Sequence, residues 1–275
     1  MVQRALILPL LVLLTAGSVR AAELTPKTIA AFDRYVSIAE RRIARELAQP
    51  STFLWTDTLS AGRKADVLRR LQNGEIIVER LRLDGSQEMP DALLHHWIGT
   101  VFIPGAHVRD AVALMEDYDR HSTVFAPNVT QSRVLQHRGD WFKVFLRFSM
   151  KKMIAVTLNT EHDAQFTIVG PDRAYSALHS TRIAEVEEAG TPSEHEVTPG
   201  TGHGFMWRLN TYWRFLERDN GTYVQCESIT LSRDVPFGLG WLIRPFVTEV
   251  PRDSLSFMLD RIRRNVTVRP AGSED

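Results

Sequence analysis

One cysteine, Cys226, stands in the whole chain, so no intramolecular disulfide can hold the fold together. It lies in a strand-like run, TYVQCESITLS, where a lone thiol reads as a buried, inert side chain. A nucleophilic role would need a neighbouring base that the sequence does not show. Charge of one sign is also missing: 33 basic residues meet 33 acidic ones. That balance gives neither the electropositive surface of a nucleic-acid binder nor a polybasic membrane patch. Beyond residue 16 no apolar run is long enough to span a bilayer. The motifs of common enzymes are absent as well. There is no G-x-S-x-G elbow, no P-loop, no dinucleotide G-x-G-x-x-G and no HExxH. Gly200, Gly202 and Gly204 form a loop of small residues and no strand-to-helix turn. His95 and His96 are adjacent, so in a strand they face opposite ways. His195 and His203, near Glu194 and Glu196, lack the spacing of known zinc sites. The sequence therefore calls for no metal and no cofactor.

What is present begins with an export signal. Arg4 precedes the apolar run 5–16 (ALILPLLVLLTA), and small residues follow up to a cleavage point after Ala21. The order is that of a secretory signal peptide, and the run is short against the roughly 20 residues of a membrane span. The alternative is a retained N-terminal anchor. Cleavage would remove Arg4 and Arg20, taking the basic count from 33 to 31 against 33 acidic residues, a net charge of −2. The expected destination is the periplasm or the exterior.

Residues 25–48 carry apolar positions at Ile29, Phe32, Val36, Ala39, Ile43 and Leu47, one face of a helix capped by Thr25 and Pro26 and ended by Pro50. A second helix is expected over 60–72, stopping at Asn73-Gly74, and then a strand over 75–83. From residue 93 the pattern changes to a strand (93–103), a helix (108–118), and strands over 129–137, 141–150, 153–169, 174–187, 205–218 and 222–232. Arg138-Gly139-Asp140, Gly170-Pro171-Asp172 and Asp219-Asn220-Gly221 supply tight turns. Residues 188–203 form a long loop, and a last helix covers 253–266. Short links between successive strands predict an antiparallel meander, and a twisted sheet of that length must curl.

This order resembles the helix-grip fold of the START and Bet v 1-like (SRPBCC) superfamily, which includes lipid-transfer domains, polyketide cyclase-like proteins and coenzyme Q-binding proteins. The segment VFIPGAHVRDAVALMEDYDRHSTVFAPNVTQSRVL (101–135) is similar to the family's opening, and SRDVPFGLGWLIRPFVTEVPRDSLSFMLDRIRRNV (232–266) to its closing stretch. The resemblance covers about 93–266. It implies an α+β helix-grip fold, with a curved antiparallel sheet wrapped on a long C-terminal helix and an internal cavity for an apolar ligand. The division expected is a signal peptide (1–21), an added N-terminal helical extension (22–90), the START-like domain (91–268) and a tail (269–275).

Candidate ligand contacts follow from strand alternation. Phe205, Trp207, Leu209, Trp213 and Phe215 occupy alternate positions and would share the face that lines the cavity. Tyr118 and Phe125 would approach from the helix side. An Asn220-Gly221 turn would set Arg214 against Glu227, Trp213 against Ser228 and Phe215 against Cys226. The Arg214–Glu227 pair reads as an exposed surface pair or, turned inward, as an anchor for a polar head. Arg182, expected beside Asn159 with Glu161 beside Ser180, is a surface charge or a second such anchor. Residues 237–243 (FGLGWLI) either seat the last helix or form an apolar rim for transient membrane contact. The first reading is an exported carrier of a lipid or other apolar small molecule. A second is a cyclase or hydrolase using Glu161, His179, Arg182 or Glu227. A third is an envelope interaction protein whose core is solid. Oligomeric state is not legible.

Overall fold

The alternating residues between 92 and 233 become strands in the computed structural model, which describes residues 23–83, 89–151, 155–234 and 250–266. The signal segment 1–21, the apolar stretch 237–243 and the tail 269–275 lie outside the described residues. Two helices come first, α1 (Pro26–Leu47) and α2 (Ala61–Gln72), joined by two short 3-10 turns. Then follow β1 (Ile77–Arg80), β2 (Ala92–Pro104), α3 (Val108–Glu116) and α4 (His121–Val124). The strands continue with β3 (Val129–Arg138), β4 (Trp141–Lys151), β5 (Ala155–Gly170), β6 (Arg173–Glu187) and the two-residue β7 (His195–Glu196). The chain ends in β8 (Arg208–Glu217), β9 (Gly221–Arg233) and α5 (Val250–Asn265).

The strands form one antiparallel nine-stranded sheet in the order β1-β2-β9-β8-β6-β5-β4-β3, with β7 on β6. The sheet curves around α5, which makes the architecture an α+β helix grip. Residues before position 91 are not only an appendage, because β1 is an edge strand of the same sheet. Among the described residues no helix is long and apolar enough to cross a membrane.

Period-two alternation gives the sheet two buried faces. The inner face carries Val101, Val144, Ala164, Phe166, Trp213, Phe215, Val224 and Cys226 and packs on α3 and on Leu255, Leu259 and Ile262 of α5. The outer face is covered by the N-terminal extension. Phe32, Tyr35, Val36, Ala39 and Ile43 of α1 pack on Tyr212, Ile229 and Leu231. Phe53, Leu54, Val67 and Leu71 cover Phe102, Leu216 and Tyr223 beside them. Helix α1 forms where the sequence predicts it. Its cap is Thr25, whose hydroxyl accepts from the Thr28 backbone N–H at 3.2 Å, with Pro26 in the first turn.

Close approach of α5 depends on one residue. Gly99 sits in the middle of β2, where a Cβ would lie 2.6 Å from Leu259 Cδ1 and 3.0 Å from Leu255 Cγ. The absence of a side chain there lets the helix settle against the sheet.

Two registers differ from those expected. In the β8–β9 hairpin the turn residues are Asp219 and Asn220, with φ of 60° and 57°. Both central residues of such a turn need positive φ, which Asp and Asn tolerate. Gly221 belongs instead to the strand opposite Pro104, where a Cβ would come within 2.5 Å of the Ile103 carbonyl. Trp213 therefore faces Cys226, Phe215 faces Val224, and Arg214 faces Gln225 rather than Glu227. In β5–β6 a bulge after Glu161 pairs Glu161 with Arg182 and His162 with Ser180. No local sequence signal marks that bulge.

Candidate functional site

The five aromatic and aliphatic residues proposed to share one face do not all do so. Trp213 and Phe215 are buried in the inner core, as are Tyr118 and Phe125. Leu209 is half-buried and pairs with Thr230, in step with Trp213 on the inner face. Trp207 lies in the other core, under α1. The regular strand starts only at Arg208, so alternation does not extend back to Trp207, which lies 4% exposed against the α1 cluster. Phe205 also precedes the strand, stacks on His203 and donates its backbone N–H to Glu185 Oε1 at 2.9 Å.

The two arginines offered as anchors are both on the outer face. Arg214 is fully buried there, neither exposed nor facing the α5 side. It donates to the Phe53 carbonyl and to Glu46 Oε2, each at 2.7 Å. Glu46 is also held by Arg42 at 2.9 Å, and Arg42 reaches on to Glu227. Glu227 accepts from His96 Nε2 at 2.7 Å, and His96 Nδ1 meets the Tyr35 hydroxyl at 2.7 Å. Burial pushes the Glu227 carboxyl up, but His96 and Arg42 beside it prevail and hold it down at about 2. Alongside, Glu40 of α1 accepts from Tyr212 at 2.9 Å and pairs with His179 at 2.8 Å. This chain of charges fixes α1 in one position on the sheet. Arg182 lies at the surface, ion-paired with Glu196. The groups named for turnover, Glu161, His179, Arg182 and Glu227, thus all belong to the outer face, and none converges beneath α5. Among the described residues no three His, Cys, Asp or Glu side chains are placed to hold a metal ion.

The inner face has a gradient along its strands. Below Gly99, toward α3, it is shut: Val101, Ile103, Val224 and Phe215 are all at most 2% exposed. Beyond Gly99 the rows change. One row crosses the sheet as Trp97, Ser228, Thr211, Leu178, Ala164 and Phe142. In the next, His95 pairs with Thr230, Thr230 with Leu209, Ser180 with His162 and His162 with Val144. Trp97, Ser228, Thr211, Leu209 and Ser180 are only half-buried although they stand on the core side. Past them, Glu185 ties down the glycine loop by accepting from the backbone of His203 at 2.8 Å and of Phe205 at 2.9 Å.

Several buried polar atoms on this face have no partner: Trp97 Nε1, Ser176 Oγ and His162 Nδ1. The His162 tautomer follows from its neighbours. The Thr160 hydroxyl gives its one hydrogen to the Leu146 carbonyl at 2.9 Å, so it must accept from His162 Nε2 at 2.8 Å. Nε2 therefore carries the proton and Nδ1 is a bare acceptor. Burial drives the pKa of this fully enclosed imidazole down to about 3, keeping it neutral. The sequence reading missed His162. Its inward phase was legible from alternation with Ala164 and Phe166, but its missing partner was not.

No protein-family model matches the sequence, and no curated protein matches it. Solved structures similar to it include a STAR-related lipid transfer protein from Xanthomonas axonopodis, at 16% identity over 68% of this chain and 93% of that one, with a TM-score of 0.47. Human STARD10 is similar at 8% identity over 80% and 84%, TM-score 0.46. The Zhui aromatase/cyclase of a Streptomyces species is similar at 15% identity over 66% and 99%, TM-score 0.44. The likeness lies in the path of the backbone.

Proposed function

We propose that this protein binds an apolar small molecule, a lipid or a compound of similar character, against the inner face of the sheet beyond Gly99, and stores or transfers it. The observation that carries the reading is the half-buried patch of Trp97, Ser228 and Thr211 in one row and Leu209 in the next, on a face that is otherwise closed core. Mostly apolar walls with a few placed polar atoms are what a small-molecule site requires. Unpartnered buried polar atoms cost stability unless something binds them, and three stand on this face. Burial of apolar ligand surface, at about 25 cal/mol per Å², would supply the driving force. Export belongs to the same proposal and rests on residues 1–21 alone; loading from a membrane rests on the apolar sequence 237–243.

The test is native mass spectrometry of protein purified from its own host, with extraction of whatever leaves on denaturation. A stoichiometric apolar compound is the expected result. An empty protein that binds no lipid, quinone or fatty acid in tryptophan-quenching titrations would overturn the proposal. N-terminal sequencing of the same sample should begin at Ala22 if the signal is removed.

A further inference from the structure

We infer that the molecule held on the inner face is an uncharged carbonyl compound, a ketone or an ester, whose oxygen is gripped between the hydroxyls of Ser228 and Thr211. This rests on the apolar-ligand reading above and narrows it to neutral ligands with an acceptor oxygen.

Free space lies beside these two side chains. Ser228 and Thr211 are half-buried in the middle of the sheet, on strands flanked by β2 and β6. Their neighbours in sequence, Tyr212, Glu227 and Ile229, point to the outer face and are 0% exposed there, so the remaining accessible surface is on the inner side. Nor does it belong to an open rim. On one side of the patch Gly99 and Cys226 are buried, and on the other His95 and Thr230 are buried again. Trp97 and Ser228 thus keep surface between two closed stretches of the same pair of strands, as the wall of a concave site does.

Two hydroxyls and no charge set the chemistry of that space. Thr211 and Ser228 stand directly opposite each other in β8 and β9, a placement that sets Cβ atoms about 4.5–5.5 Å apart. Neither hydroxyl has a hydrogen-bond partner among the described residues, and neither is enclosed. A hydroxyl with no fixed acceptor can turn its hydrogen toward a ligand, and one carbonyl oxygen has two lone pairs to accept from both. Trp97, Leu178 and Leu209 supply apolar walls around the pair. Among the described residues no lysine or arginine stands in these two rows, so nothing there would neutralise a carboxylate or a phosphate. His95, in the next row, is bonded to Ser232 at 3.0 Å, and burial keeps it neutral with its pKa lowered to about 4. Arg182 and Arg214 are on the other side of the sheet and already paired.

The experiment uses the purified full protein with 2-undecanone, methyl decanoate, undecane and decanoate, each displacing bound N-phenyl-1-naphthylamine, a neutral fluorophore. The ketone and the ester should displace it at lower concentration than decanoate does. In the double variant Thr211→Val with Ser228→Ala, the affinity of the ketone relative to undecane should fall about tenfold, as expected for losing two hydrogen bonds. Its Tm should not fall, because the two hydroxyls hold nothing in the free protein. Infrared spectra of the wild type in excess over 2-undecanone give a readout that needs no variant. The carbonyl band, clear of the amide band, should lie lower in frequency than for the ketone in hexane, and that shift should vanish in the double variant. An unchanged ketone-to-undecane ratio, a hexane-like band in the wild type, a marked fall in Tm, tightest binding of decanoate, or a fluorophore that neither ketone nor ester displaces would each overturn the inference. Failure of the fluorophore and all four probes to bind would instead refute the apolar-ligand proposal itself, which separates the two.

Discussion

Replacing Arg214 by methionine tests whether this arginine holds the extension to the sheet or holds a ligand. The aliphatic stem is kept, and the two bonds at 2.7 Å to the Phe53 carbonyl and Glu46 are lost. Glu46 retains Arg42, but the Phe53 carbonyl is left buried against a sheet residue that is 0% exposed. Breaking a buried charge pair by removing one partner costs about 3–5 kcal/mol. For a chain of this size each kcal/mol moves Tm by about 2–4 °C, so a fall of roughly 6–20 °C is expected. Arg214→Lys should fall between, since one ammonium cannot serve both partners in the guanidinium's fork. Urea denaturation followed by tryptophan emission measures the stability, and displacement of a neutral fluorophore measures binding. A large loss in stability and no loss in binding below the unfolding transition is the expected result. A loss under about 1 kcal/mol would show that the ion-pair chain is not what seats α1. A tenfold weaker affinity at unchanged stability would return Arg214 to the ligand site.

Three further outcomes follow from the same structure. Gly99→Ala should destabilise by about 1–3 kcal/mol in urea melts through the clash with Leu259 and Leu255, and Leu259→Ala should make the second substitution less costly than it is alone. Burial lowers the pKa of His162 to about 3 and of His95 and His121 to about 4. As pH falls through the unfolded-state value of 6.5, the unfolded chain takes up protons that the native state refuses, so stability should drop from pH 6.5 toward 4 and His162→Phe should lessen that slope; a flat profile there would contradict it. Cys226 is 1% exposed and burial raises its thiol pKa well above the ordinary value, so it should react with a disulfide reagent only once denaturant opens the fold.

Much of the architecture was legible because it rests on periodicity. Helix α1, the β2–α3 order, the long hairpins and the final helix all follow from spacing of apolar residues, with boundaries within a few positions. The inward phase of Trp213 and Phe215 was equally plain. Registers were less so, since the Asp219-Asn220-Gly221 run contains two admissible turns, and the choice is made by the close passage of Gly221 past Ile103, some 118 positions earlier. The site was misread where alternation was carried past a strand end, at Trp207, and where a covered outer face was taken for a wet one, at Arg214. Sequence alternation distinguishes two faces of a sheet but not which one a distant helix will bury. Only tertiary packing reveals that Arg42, Glu46 and Glu227 meet.

The pairing of β2 with β9 has a consequence for the order of assembly. Residues Ala92–Pro104 find their partners at Gly221–Arg233, and Arg42 and Glu46 of α1 find theirs 185 and 168 positions along the chain. The meander from β3 to β6 closes over short turns, but neither β2 nor α1 can reach its native seat until the last two strands exist. A ribosome would therefore release this chain with its first hundred residues still waiting, apolar faces uncovered, and late-closing contacts of this kind are slow to form and open to aggregation. A polypeptide whose leading end is the last to dock stays threadable until synthesis is nearly complete.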